Sequence, residues 1–139
     1  MGDITVTAAQ VHVIDPTQAE IYNGVAAEAI TQGQLVYFVT TGTVGVADAN
    51  ASGKQQARGI ALNAAGIGQA VSVLKRGRVA GFTVSAVDCG ATLYLSDTAG
   101  AFGTTNGTMT VSCASVVPMS DKDKTRVVYA DFSWRAQWA

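Results

Sequence analysis

Short runs rich in Val, Thr, Leu and Tyr alternate with turn residues along most of the chain. Breaks that contain Gly, Asn or Asp recur about every 8–12 residues, which is typical of an all-β domain. The pattern predicts strands at 35–39, 44–47, 60–62, 71–74, 78–84, 92–95, 108–117 and 126–134. Asn106-Gly107 lies between Thr-rich flanks and predicts a hairpin with 108–117 as its second strand. We therefore expect an all-β fold, a compact domain of the β-barrel or β-sandwich kind.

Helical periodicity is weak in this sequence. Residues 25–30 contain helix-favouring side chains, but Gly24 and Gly33 bound them closely. Residues 85–88 are long enough for a single turn. Neither segment reaches the roughly 12 residues at which a helical pattern becomes persuasive. The sequence therefore predicts little helix.

Residues 1–19 have a different pattern from the rest of the chain. Short β-prone pieces at 4–6 and 11–14 are followed by Asp15-Pro16, which interrupts a regular ladder. We interpret residues 1–19 as an extended N-terminal arm that is mobile until it meets a partner. Residues 20–139 are interpreted as a single β domain.

Two segments of this domain resemble each other. Residues 29–38 and 86–95 share an apolar pair, two polar or small residues, Gly, two variable residues, an aliphatic residue, Tyr and an apolar residue. The two glycines, Gly33 and Gly90, are 57 positions apart. The match indicates an internal repeat.

The same shift of 57 positions is expected to carry residues 69–71 onto 126–128. We therefore interpret the domain as two related β units, 29–85 and 86–139, that pack against each other. This interpretation concerns the fold and assigns no chemistry.

The length of 139 residues favours a single domain. A net charge of −1 argues against a nucleic-acid partner, because such proteins usually carry a basic excess. No apolar run approaches the ~18–20 residues of a membrane span, and the first residues lack the pattern of an export signal. We expect no membrane partner and synthesis in the cytoplasm.

Charged residues make up only 14% of the chain, against about 25% in typical soluble domains. A monomer of this size normally has a charge-rich surface. The low charge indicates that other protein covers part of the surface, and the alternative is a weakly charged monomer.

The chain offers few groups for catalysis. Its single histidine, His12, lies between Val11 and Val13, and no G-x-S-x-G motif accompanies it, so we interpret it as a half-exposed strand residue. Asp121 and Asp123 alternate with lysines and indicate a solvated loop. The sequence predicts no enzyme, no cofactor and no metal site.

The two cysteines, Cys89 and Cys113, are not part of a CxxC motif, and no second histidine completes a zinc set. Their separation allows a disulfide but does not imply one. Because thiols stay reduced in the cytosol, we expect free, buried cysteines.

Two clusters each allow two interpretations. The basic cluster of Lys75, Arg76 and Arg78 either contacts an acidic or phosphate-bearing partner or blocks edge-to-edge strand pairing. The aromatic cluster of the C-terminus either caps the core of the second unit or forms a subunit interface. Its members are Phe132, Trp134 and Trp138.

Three segments resemble one known family. They are 29–37 (Ala-Ile-Thr-Gln-Gly-Gln-Leu-Val-Tyr), 59–74 (beginning Gly-Ile-Ala-Leu-Asn) and 93–100 (Leu-Tyr-Leu-Ser-Asp-Thr-Ala-Gly). Over about residues 24–135, the chain resembles the capsid cement, or decoration, proteins of tailed bacteriophages. The resemblance implies a β-rich homotrimer, made in the host cytoplasm, that binds the outer surface of an assembled head. Its partner there is the major capsid protein, whose subunits it bridges.

The N-terminal arm of such proteins often adds a strand to the capsid. Residues 3–14 fit that role by composition, and their apolar side chains are the candidate capsid contacts. These are Ile4, Val6, Val11 and Val13. Candidate subunit or capsid contacts are Phe132, Trp134, Trp138, Arg76 and Arg78. The alternative function is a virion-surface adhesion module that binds host glycans through exposed Tyr or Trp rings.

Overall fold

The computed structural model describes residues 3–50, 53–105, 107–119 and 125–132. Within these residues, ten strands form one sheet that curls into a half barrel. All of the strand pairs are antiparallel. The predicted all-β class, with little helix, is confirmed.

The strands are numbered in chain order. They are β1 (His12–Val13), β2 (Glu20–Val25), β3 (Leu35–Phe38), β4 (Val44–Val46), β5 (Ala57–Ala61), β6 (Ala70–Ala80), β7 (Thr92–Leu95), β8 (Phe102–Gly103), β9 (Ser112–Pro118) and β10 (Arg126–Asp131). The order across the sheet is β4-β3-β5-β6-β10-β9-β7-β8, and β1 and β2 also pair with β6. Short 3₁₀ turns, Ala8–Gln10 and Pro16–Gln18, precede β1 and β2. The long strand β6 therefore joins the two halves of the sheet at its centre.

The main core is built from both halves of the sheet. Its largest side chains are fully buried: Leu35, Ile60, Leu74, Leu93, Leu95, Phe102 and Phe132. A second cluster contains Ala26, Ile30, Val36, Val44, Ala61, Ala65, Val71 and Val73. Successive residues of a strand point to opposite faces, so Leu35 in the main core and Val36 in the second cluster show that β3 is buried on both faces.

The two halves of the sheet have equivalent strand orders. From edge to centre, β4-β3-β5-β6 forms one half and β8-β7-β9-β10 the other. The pairing of β3 with β5 is irregular between Val36 and Tyr37, and that of β7 with β9 is irregular between Leu93 and Tyr94. These two irregularities lie 57 positions apart. The halves therefore share strand order and a local defect.

Backbone hydrogen bonds also recur in the two halves. The Gly33 amide donates to the Ala61 carbonyl at 2.8 Å, and the Gly90 amide donates to the Val116 carbonyl at 2.7 Å. The donors are 57 positions apart, whereas the acceptors are 55 apart. The connection within the second half is thus two residues shorter.

This shorter connection changes the expected alignment. Val71, in β6, corresponds to Arg126, in β10, because a shift of 55 positions relates these strands. The expectation that a shift of 57 would carry residues 69–71 onto 126–128 is wrong for this reason.

One other local prediction is wrong. The segments around Asn106-Gly107 do not pair as a hairpin, because β8 pairs with β7, and β9 pairs with β7 and β10. The Asp97 carboxylate instead accepts hydrogen bonds from the amide and hydroxyl of Thr108, at 2.7 and 2.8 Å. Residues 26–30, where the helical pattern is weak, form no helix and contribute Ala26 and Ile30 to the second cluster.

The N-terminal arm is extended but docked on the sheet. Its β1 pairs with the end of β6, and single bridges join Asp3 to Gly103 and Val6 to Phe82. Ile4 is 8% exposed and belongs to the main core. The expectation of a mobile arm is therefore wrong for residues 3–14, which share the core of the domain.

Candidate functional site

The four predicted arm contacts divide into two pairs. Ile4 and Val11 are buried in the chain's own core, so they are not available to a capsid in this conformation. Val6 is 38% exposed, and Val13 is half-buried. The sequence could not separate these pairs, because burial here depends on contacts with Gly81 and Phe102 far along the chain.

A carboxylate fastens the start of the arm. Asp3 accepts hydrogen bonds from the Ser96 hydroxyl at 2.5 Å and the Thr98 hydroxyl at 2.6 Å. Ser96 is fully buried, and these two hydrogen bonds lower the pKa of the Asp3 carboxyl. The Ile4 amide next to it donates to the Phe102 carbonyl at 2.8 Å. The docked arm is thus favoured by the ionised form of Asp3.

The basic cluster is paired within the chain. Lys75 lies 3.3 Å from Glu20, and Arg76 lies 3.5 Å from Glu20 and 3.1 Å from Asp131. The pKa of Arg76 is raised, chiefly by its hydrogen bond to Asp131.

Arg78 completes the cluster, with its guanidinium 3.9 Å from Asp15. All three cations lie on β6, which pairs with β5 and β10 and is not an edge strand. The interpretation as an edge block is therefore wrong, and the local function of the cluster is to neutralise acids of the same chain.

Of the aromatic cluster, Phe132 is fully buried and packs on Phe102, with ring centroids 6.4 Å apart. It caps the core, so its assignment to a subunit or capsid interface is wrong. Trp134 and Trp138 lie outside the described residues.

The outer strand β2 exposes apolar side chains. Ile21 and Val25 are each 45% exposed, and Tyr22 is 37% exposed beside the Phe38 ring. Within the described residues, β2 itself pairs only with β6, and directly after it Ala26 bridges Val44 of β4. The strand was not predicted, since Ile-Tyr-Asn-Gly-Val does not alternate between apolar and polar residues.

A polar cavity of about 210 Å³ opens on β7, β9 and β10. Its lining residues are Thr92, Ser112, Cys113, Ala114, Ser115, Tyr129 and Asp131. Four of them carry hydroxyl groups and one carries a carboxylate. No sequence pattern indicated this cavity, because its residues come from three strands and stand at no motif spacing.

The thiol of Cys113 is not set up as a nucleophile. Cys113 is buried, and burial raises the pKa of its thiol to about 12. Cys89 is also free but exposed, so the prediction of free thiols holds for both cysteines and that of burial only for Cys113. His12 is exposed on β1, where its Nδ1 lies 2.8 Å from the Gln10 carbonyl. Because a carbonyl oxygen can only accept, this hydrogen bond requires the tautomer with a proton on Nδ1.

Among the described residues, no group of three or more His, Cys, Asp or Glu side chains could hold a metal ion. No helix in the same ranges is both long and apolar enough to cross a membrane. Comparisons of the chain with protein-family models, with curated proteins and with solved structures found no match.

Proposed function

We propose that this chain is a capsid decoration protein that binds the exterior of an assembled phage head as a homotrimer. It would stabilise the head by bridging major capsid subunits. The observation that carries the proposal is β2, which exposes Ile21, Tyr22 and Val25 and ladders with β6 alone within the described residues. The sequence resemblance to decoration proteins agrees with it.

The outer edge of β2 is suited to pairing with an extended segment of another protein. In this mode, main-chain hydrogen bonds give affinity, and alternate side chains give specificity. Residues 21–25 carry no charge, so pairing would not require the costly removal of water from an ion. Glu20, at the start of the strand, is already held by Lys75 and Arg76. The partner is an unpaired edge or extended loop of the major capsid protein.

Binding of this kind stabilises the shell by mass action. A protein that binds only the assembled lattice lowers its free energy by RT ln(1 + [L]/Kd) at each site. A trimer reaches several capsid subunits at once, so that individually weak contacts act at a high effective concentration. The role needs no catalytic group.

The experiment mixes the purified chain with undecorated heads and counts bound copies. Ile21→Asp and Val25→Asp are expected to lose binding, because each places a charge beside the outer edge of β2. The matched control is Ile67→Asp. Ile67 is an apolar residue that is 78% exposed in the turn before β6. Equal binding by all three variants and the unchanged chain would refute the β2 interface. Light scattering of the free chain tests the trimer.

A further inference from the structure

The two halves of the sheet differ at one row of equivalent positions. In the first half, Leu35, Ile60 and Leu74 are successive Cα partners across β3, β5 and β6, and all three are fully buried. In the second half, the partners across β7, β9 and β10 are Thr92, Ser115 and Tyr129. Three apolar side chains of one half are thus replaced by three hydroxyl-bearing ones in the other.

The replacement extends along the same strands. Ala57, the partner of Tyr37, is fully buried, and its equivalent Ser112, the partner of Tyr94, is exposed. The first half is buried on both faces, whereas this face of the second half is open. The cavity of about 210 Å³ lies there. In the first half this row is apolar and lies in the main core, whereas in the second half it is polar and borders the cavity.

The hydroxyl groups of the cavity are available to a ligand. Within the described part of the chain, the side chains of Thr92, Ser112, Ser115 and Tyr129 make no hydrogen bond. Each can both donate and accept. The Asp131 carboxylate stands at the rim, oriented by the Arg76 guanidinium at 3.1 Å.

We propose that this cavity binds one neutral sugar residue. Several hydroxyl groups and one fixed carboxylate match the alternating donors and acceptors of a sugar ring, and the Tyr129 ring offers an apolar surface for its C–H groups. The volume is below the roughly 300–1,000 Å³ of pockets for drug-sized ligands, so it fits a single ring. The negative charge of Asp131 disfavours acidic sugars and phosphates. The nearby Arg76 does not offset this effect, because its guanidinium is already shared between Glu20 and Asp131.

The site does not depend on the proposed capsid role. The free chain would carry it, and a sugar could be either a free monosaccharide or the end of a glycan chain. Both ligands would present the same kind of sugar ring to the cavity, and the experiment distinguishes a free monosaccharide from a glycan end.

The experiment titrates the full chain with neutral monosaccharides, with sialic acid and with short neutral glycans, and follows amide NMR shifts. Neutral sugars are expected to shift the amides of Ser112, Ser115 and Tyr129, with Kd on the order of 1 mM for a single ring. Tighter binding of a glycan than of its terminal sugar would identify a glycan end as the ligand, and equal binding would identify the monosaccharide.

Ser115→Val restores the apolar character of the equivalent Ile60 and is expected to weaken binding at least tenfold. Asp131→Asn is expected to weaken it and to reduce the discrimination against sialic acid. Thr83→Val, an exposed threonine outside the cavity, is the control and keeps full binding. Amide shifts absent with every sugar, preference for sialic acid, or unchanged binding by folded Ser115→Val would each overturn the proposal.

Discussion

Arg76 and Asp131 face each other in the β6–β10 ladder, and the Arg76 Nε donates to the Asp131 carboxylate at 3.1 Å. They are also equivalent residues of the two halves, 55 positions apart, as Ile60 and Ser115 are. A residue that pairs with its own equivalent across an antiparallel ladder marks a local twofold axis. Opposite charges at that point avoid the repulsion that two identical charged residues would create.

Reversing the charge at this axis is expected to destabilise the domain. In Asp131→Arg, two guanidinium groups would stand at facing positions of β6 and β10. We expect a lower Tm at low salt and a smaller difference at high salt, because exposed charges are screened. Asp88→Arg, which reverses an exposed acid away from the ladder, is the control and should change Tm less. Equal losses in both variants, independent of salt, would contradict the role of the pair.

The docked arm is expected to contribute to stability. Ile4→Ala should lower the free energy of unfolding by about 2–4 kcal/mol, because it removes buried methylene groups from the core. Val6→Ala, in the same arm but 38% exposed, should cost less than about 1 kcal/mol. Urea unfolding measures both. If the arm were not docked, both variants would have the same free energy of unfolding as the unchanged chain.

Two equivalent glycines differ in their surroundings. Gly33 and Gly90 have φ of 94° and 88°, so alanine is strained at both. A Cβ at Gly33 would lie 2.8 Å from Val6 and 3.0 Å from Val11, whereas nothing lies within 4 Å of one at Gly90. Gly90→Ala should cost about 1–2 kcal/mol, and Gly33→Ala should cost more.

The excess cost of Gly33→Ala is expected to come from the arm. Unfolding measured after deletion of residues 1–14 should therefore show similar costs for Gly33→Ala and Gly90→Ala. A difference that survives the deletion would show that the arm is not what Gly33 accommodates.

Acid is expected to loosen the arm. Hydrogen bonds from Ser96 and Thr98 lower the pKa of Asp3 below 3.8, so its contribution to stability is complete above that value. The contribution is lost as the pH falls through the lowered pKa. Asp3→Asn should therefore be less stable than the unchanged chain near neutral pH, and the difference should shrink in acid. Thermal unfolding across this range checks the sign, and a difference that grows in acid would contradict it.

Part of the fold follows from local pattern. The β7 segment, 92–95, has the predicted bounds, because Gly90 starts its turn and Leu93 and Leu95 alternate with polar positions. The bounds of β3 were missed by one residue. Such strands are specified by their own residues and by the turn that precedes them.

Other features depend on contacts between distant residues. The predicted hairpin at Asn106-Gly107 is wrong because the Thr108 amide donates a hydrogen bond to Asp97 instead. The prediction of a mobile arm is wrong because the Ile4 amide donates to the Phe102 carbonyl. The polar cavity depends on the register of three strands. Because the connection in the second half is two residues shorter, the shift between equivalent positions changes from 57 to 55 along the chain. The sequence could therefore indicate the similarity of residues 29–38 and 86–95 but not the row of hydroxyl groups that the register brings together.

The proposed function is that this chain would hold an assembled shell together from outside. Its most direct test is the melting temperature of undecorated heads, measured with increasing concentrations of the purified chain. We expect the temperature to rise with concentration until the sites are filled, as mass action requires, and to fall back when the chain is removed. A melting temperature that stays unchanged at saturating concentration would contradict the claim.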